Sequence, residues 1–294
     1  MDCMFSGEVT SNDEHVLPRW MQKRFKLANQ TYRLPNGTSI AYRNAKIPVS
    51  EAHNTAFGRI ETRMAQGVAT DQEIYLWAFK IHVGLIYKNA GLKVDIQAPD
   101  SPMFWSLDGF GNEIWLFRKL YEIWESSGSI SPDPFGSVIR MKALTPGPSF
   151  DFVHNLQTGA VFFQLGDEVI YVALYDQGRL ATSSVPQAFE ELRKRISAQP
   201  AHERHTHAFY AQRVWACETS YFQYRSHQGI NYVSTPALFA AVPPMRWRDT
   251  RPSSEAELAV YCRSFGLNLE RFNNGNGIAF SNLTSEEISD LRKG

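Results

Sequence analysis

Asp13, Glu14 and His15 place two carboxylates and an imidazole in consecutive positions, and Val16-Leu17-Pro18-Arg19-Trp20 follows them. An imidazole titrates near neutrality, so it can accept a proton at working pH. A carboxylate supplies the hard oxygen that suits Mg²⁺, an ion that normally keeps several of its waters. Farther along, Ser50-Glu51-Ala52-His53-Asn54 leads into a helix-like stretch and offers an amide carbonyl, another hard oxygen, at Asn54. Upstream, Cys3 is followed three places later by Ser6, which has the spacing of half a metal-binding knuckle.

In these stretches the chain resembles a bacterial group of HNH (His-Me finger) endonuclease-like proteins. Their N-termini read Cys-x-x-Cys, then Glu-His-x-x-Pro-x-Trp, then Cys-x-x-Cys-Asn before a helix carrying Leu-Glu or Ile-Glu. Here the middle element is Glu14-His15-Val16-Leu17-Pro18-Arg19-Trp20, and the last is Ser50-x-x-His53-Asn54 followed by Ile60-Glu61. The resemblance covers the first 65 or so residues and continues more weakly in layout through the "LWAFK" helix. It implies a ββα finger in which His15 is the general base of phosphodiester hydrolysis. Glu14 and Asn54 would hold one divalent ion, Mg²⁺ first. It also implies a bacterial or phage setting, with defence against foreign DNA as a frequent role.

The departures lie in the scaffold. The family's four cysteines would hold a structural zinc, and the matching positions here are Cys3, Ser6, Ser50 and His53. A serine hydroxyl is not ionised at neutral pH and is a poor Zn²⁺ ligand, unlike a thiolate. Zinc is therefore not expected, and hydrogen bonds and packing should replace the knuckle, with His53 packing rather than ligating. The family's middle Asn has no certain counterpart, although Asn44 lies nearby. Asn54 has a plain alternative role as the N-cap of its helix, a position that favours Asn.

The bulk composition sets limits. The chain has 294 residues, 43% hydrophobic and 20% charged, with 30 basic residues against 30 acidic. That balance is not the footprint of long-range attraction to nucleic acid, but it permits a local basic groove. Residues 1–66 carry nine Lys or Arg against six Asp or Glu, and Arg19, Lys23 and Arg24 are the candidate phosphate contacts. Three widely spaced cysteines argue against a disulfide framework and for a reducing compartment. No secretory pattern opens the chain, and its most apolar run is broken by Lys80 and His82, so a soluble cytoplasmic protein off the membrane is expected.

Several elements must position the site residues. Asn36-Gly37 between strand-like runs signals a hairpin. Phe57, Ile60 and Met64 recur at helical spacing up to Gly67. Thr70-x-x-Glu73 is a capping box, opening a helix to Gly91 that is apolar nearly all round and so central to a core. "IWLFRKLYEIWESSG" is a second amphipathic helix, and a strand-rich section follows over about 131–176. Helices are expected again near 185–199, after Ser254 and after Thr284, with a hairpin near 267–280.

Other clusters carry less. His202, His205 and His207 could converge on a transition metal, although a solvated loop is the simpler account. Arg246, Trp247, Arg248 and Arg251, like the "LRKRIS" run, could grip and stack nucleic acid but read equally as solvated faces. His154-Asn155 reads as a core or turn histidine. There is no P-loop and no Gly-x-Ser-x-Gly elbow.

The expectation is an α+β protein with a degenerate HNH-like ββα unit over 1–66. A larger α+β domain over 67–294 would select a target or dock a partner. The activity would be metal-dependent cleavage of nucleic acid, DNA rather than RNA. The alternative is an inactive nuclease-derived module that binds nucleic acid or a protein.

Overall fold

The computed structural model describes residues 2–103, 106–143, 150–155, 159–178, 181, 223–227 and 230–234. The clusters at His202, His205 and His207, at "LRKRIS" and at Arg246 to Arg251 lie outside those residues. So do the helices expected near 185–199 and after Ser254 and Thr284, and the hairpin near 267–280. The described chain mixes helices with antiparallel strands, an α+β fold. It divides into two compact units, the first comprising Met1–Phe135 with Tyr221–Pro236. The boundary expected at residue 66 falls inside that unit.

The first unit begins with β1 (Asp13–His15), which pairs antiparallel with β4 (Lys46–Pro48) so that Glu14 faces Ile47. Between them lie α1 (Arg19–Arg24) and the hairpin of β2 (Thr31–Arg33) and β3 (Ser39–Ala41). The hairpin turns at Gly37, whose φ of +83° is open to glycine, and the Asn36 side-chain Oδ1 accepts from the Thr38 N–H at 3.2 Å. With two residues between them, α2 (Glu51–Gln66) follows β4, and it ends at left-handed Gly67. It buries Phe57, Ile60 and Met64, the three positions that its spacing marks as one face.

Next comes α3 (Asp71–Ala90), started by the complete Thr70–Glu73 capping box. Most of its side chains are buried, including Tyr75, Trp77, Phe79, Lys80 and His82. Gly84 explains how β1 and β4 come so close to it. A Cβ there would sit 3.1 Å from Ile47 and 3.4 Å from Val16, so a larger residue would push the strand pair away. α4 (Gly111–Glu125) buries Ile114, Leu116, Phe117, Leu120, Tyr121 and Ile123. Beyond it, β5 (Ser129–Ile130) pairs in parallel with β11 (Ile230–Ser234), which pairs antiparallel with β10 (Gln223–His227).

The second unit holds the strand-rich section, a four-stranded antiparallel sheet in the order β6 (Ser137–Lys142), β9 (Glu168–Ala173), β8 (Ala160–Leu165), β7 (Phe150–Asn155). Every residue of β8 is buried, so both faces of its centre are covered. Just past β9, buried Asp176 accepts from the Ser137 N–H at 2.8 Å and its hydroxyl at 2.5 Å, tying the start of β6 to the end of β9.

Candidate active site

The strand pair decides what Glu14 and His15 can touch. Successive side chains of β1 point to opposite sides, and both are enclosed against the helices: His15 is 7% exposed and the Glu14 side chain 13%. Pro18 supplies extended backbone at the start of α1, which returns Arg19 to the histidine four residues before it. There Arg19 Nε donates to His15 Nδ1 at 3.4 Å. A neutral imidazole that accepts at Nδ1 carries its proton on Nε2.

The His15 imidazole is held below its ordinary pKa. Burial is the largest cause, and the cations of Arg19 and Lys46 add to it; Glu14 and a backbone hydrogen bond at Arg43 pull the other way. The ring is therefore neutral at pH 7, as a general base must be. Lys46 itself is drawn off to Asp13 at 3.0 Å in an exposed pair across β1 and β4. Asn44 is exposed, and the backbone of its neighbour Arg43 is what meets the histidine.

Behind the strand stands a group that the motif did not reveal. Lys80 is 1% exposed, and its Nζ donates to the His15 carbonyl at 2.8 Å and to Glu61 Oε1 at 3.1 Å. The same Nζ lies 3.9 Å from Glu14 Oε1. Burial pushes the Glu61 carboxyl up, Lys80 pulls it down, and Glu14 pushes it up again. The sequence did hold a signal: a lysine within a helix apolar on all sides has to find a carboxylate.

The four positions matching the family's zinc ligands also meet. Cys3 Sγ accepts from the Ser50 N–H at 3.3 Å and lies 3.8 Å from His53 Nδ1. Ser50 Oγ is 2.6 Å from that same nitrogen. The Ser6 hydroxyl accepts from the Glu8 N–H at 3.3 Å. Burial alone would raise the Cys3 thiol, but the N–H groups of Ser50, Ser6 and Phe5 and the Ser6 hydroxyl stabilise the thiolate and bring it below the usual value. His53 stacks on Phe5 with centroids 5.7 Å apart and planes 4° apart, and it meets Tyr121 edge-on at 5.8 Å. From α4, Arg118 donates to the carbonyls of Met4 at 3.0 Å and Cys3 at 3.2 Å. Gly7, at φ +81°, makes room for it, since a Cβ there would lie 2.8 Å from the guanidinium.

Asn54 is not the cap of α2. Ser50 is, because extended backbone and an oxygen accepting from the His53 N–H suit that position. The Asn54 side chain therefore projects, exposed, just beyond the first turn. Asn54 is open to solvent, whereas the Glu14 carboxylate is largely enclosed and ion-paired with Lys80 at 3.9 Å; an amide oxygen and a carboxylate oxygen are the hard donors that Mg²⁺ takes. No group of three His, Cys, Asp or Glu converges as a cage among the described residues; Mg²⁺ takes one or two protein oxygens and completes its shell with water and phosphate. The exposed side of α1 is basic, with Arg19, Lys23 and Arg24 all open to solvent and Arg24 over the Phe25 ring at 5.4 Å.

No helix among the described residues is long and apolar enough to cross a membrane. No protein-family model, no curated protein and no solved structure matches this chain.

Proposed function

We propose that the chain is a metal-dependent endonuclease of degenerate HNH type that hydrolyses phosphodiester bonds in nucleic acid, DNA in preference to RNA. The observation that carries the reading is the His15 imidazole: neutral, buried, ordered on β1, and facing a basic helix with the nitrogen that has to take a proton. The order β1, β4, α2 and the meeting of Cys3, Ser6, Ser50 and His53 support the same reading.

In this mechanism the Arg19 guanidinium leaves His15 Nδ1 for the phosphate, and Nδ1 then receives the proton of the attacking water. Nε2–H and the Arg43 backbone keep the ring in place as it becomes charged. Arg19, Lys23 and Arg24 draw the phosphate backbone to the rim of the site without reading bases. Glu14 and Asn54 would hold the Mg²⁺ ion, which when bound stabilises charge on the phosphate and the leaving oxygen. The setting that goes with this activity is a bacterial cytoplasm and a role against foreign DNA.

A non-cutting descendant that binds nucleic acid or a protein partner is the second reading. The Arg19 hydrogen bond favours it, because it occupies the lone pair that a base needs. The deciding assay incubates the full chain with plasmid DNA, single-stranded DNA and RNA in Mg²⁺ or Mn²⁺. Cutting should disappear with chelator and fall by at least about 100-fold in His15→Ala, the scale of a lost general base. Cutting untouched by His15→Ala, or no cutting at all, sinks the catalytic assignment.

A further inference from the structure

Lys80 is shared unequally between two carboxylates: Glu61 holds it at 3.1 Å, whereas Glu14 lies 3.9 Å away, outside hydrogen-bond distance. Its other contact, the His15 carbonyl at 2.8 Å, is neutral and fixes the ammonium without cancelling its charge. With 1% of its side chain exposed, Lys80 cannot swing out to solvent. Glu61 comes from α2, Lys80 from α3 and Glu14 from β1, so three elements set this division.

We propose that Glu61 is a positioning residue that tunes the divalent-ion affinity of Glu14 by keeping the Lys80 ammonium occupied. A carboxylate with a cation in full contact is largely neutralised toward a second cation, because the attraction that a metal would gain is offset by repulsion from the ammonium. Engaged by Glu61, Lys80 leaves the Glu14 oxygens with most of their charge. Glu61 does not touch the ion in this scheme. It acts through Lys80.

The proposal rests on the reading of Glu14 as a metal ligand, and the test separates the two. The full chain is titrated with Mn²⁺ alone, free Mn²⁺ being followed by electron paramagnetic resonance, in the wild type and in E14Q, E61Q, K80M and E61Q/K80M. Folding of each is checked by circular dichroism. E61Q should bind roughly tenfold more weakly, since it removes one negative charge and frees Lys80 for Glu14. K80M should bind several-fold more tightly, and the double variant should return to within about threefold of the wild type. A merely structural pair would lower stability in each single variant without moving affinity in opposite directions. Either single variant that folds carries the test by itself. E61Q binding like the wild type, or K80M binding no tighter, overturns the tuning role while leaving Glu14 as ligand. A wild type whose Mn²⁺ affinity E14Q does not reduce overturns both.

Discussion

Arg19 Nε sits 3.4 Å from His15 Nδ1, so a guanidinium faces the one lone pair that a general base at this position has to use. The contact orders the ring and holds its proton on Nε2, and the positive charge opposes formation of the imidazolium. The acid limb of the pH–rate profile should therefore lie below the ordinary histidine value of 6.5. Arg19→Gln removes a cation that lowers this pKa, so the limb should move to higher pH. The pH dependence of kcat/KM, measured on both proteins with a short DNA duplex, checks the sign. A limb that moves down or stays put argues against His15 as the base.

The knuckle positions make a second prediction. In a tetrahedral Zn²⁺ site a thiolate sulfur and an imidazole nitrogen lie about 3.6 Å apart. Cys3 Sγ and His53 Nδ1 are 3.8 Å apart. Substituting Ser6→Cys and Ser50→Cys together would complete a set of three thiolates and one imidazole. The double variant should bind one Zn²⁺ per chain and melt at a higher temperature with zinc than after chelation. Zinc content by mass spectrometry and paired melting curves would show it.

Ser50 also does a job of its own, as the α2 cap and as a close partner of His53. Ser50→Ala should cost about 0.5–2 kcal/mol of stability, the range of a lost cap. Urea denaturation followed by circular dichroism measures it. If the chain cleaves DNA as proposed, the change should weaken cutting only in proportion to unfolding, because Ser50 touches neither His15 nor Glu14.

In the second unit the buried Asp176 carboxylate holds the N–H and hydroxyl of Ser137, and the Gly178 N–H reaches it at 3.2 Å. Asp176→Ala would strand those buried donors. The expected loss is roughly 3 kcal/mol. A denaturation midpoint unchanged from the wild type would show that water or another group takes over.

The local elements were legible because local chemistry settles them. Thr70 and Glu73 announce a helix start, Asn36-Gly37 a hairpin, and Phe57, Ile60 and Met64 a buried face, and each is in place. Asn54 reads from sequence as an alternative cap of α2 because Asn favours that position, and only the fold shows that the Ser50 hydroxyl meets the free N–H. The roles of Glu61 and Lys80 depend on contacts nineteen residues apart in sequence and on a strand 65 residues away from the lysine. No spacing rule reaches that far. The same is true of Arg118, which secures the Cys3–Met4 backbone from a helix more than a hundred residues downstream.

The parallel pairing of β5 with β11 bears on the order in which a growing chain can fold. Ser129 meets Tyr232, so the three-stranded sheet of the first unit cannot close until the intervening chain has been synthesised. The strands β7, β8 and β9 are sequence neighbours joined antiparallel and need no such wait. Short-range pairing forms quickly, while a long loop has to be closed before its contacts contribute. On the ribosome, the sheet of β6 to β9 should therefore acquire protease resistance before the three-stranded sheet of β5, β10 and β11. A chain arrested before residue 223 would carry β1, α2 and α3 but leave β5 without its partner strand.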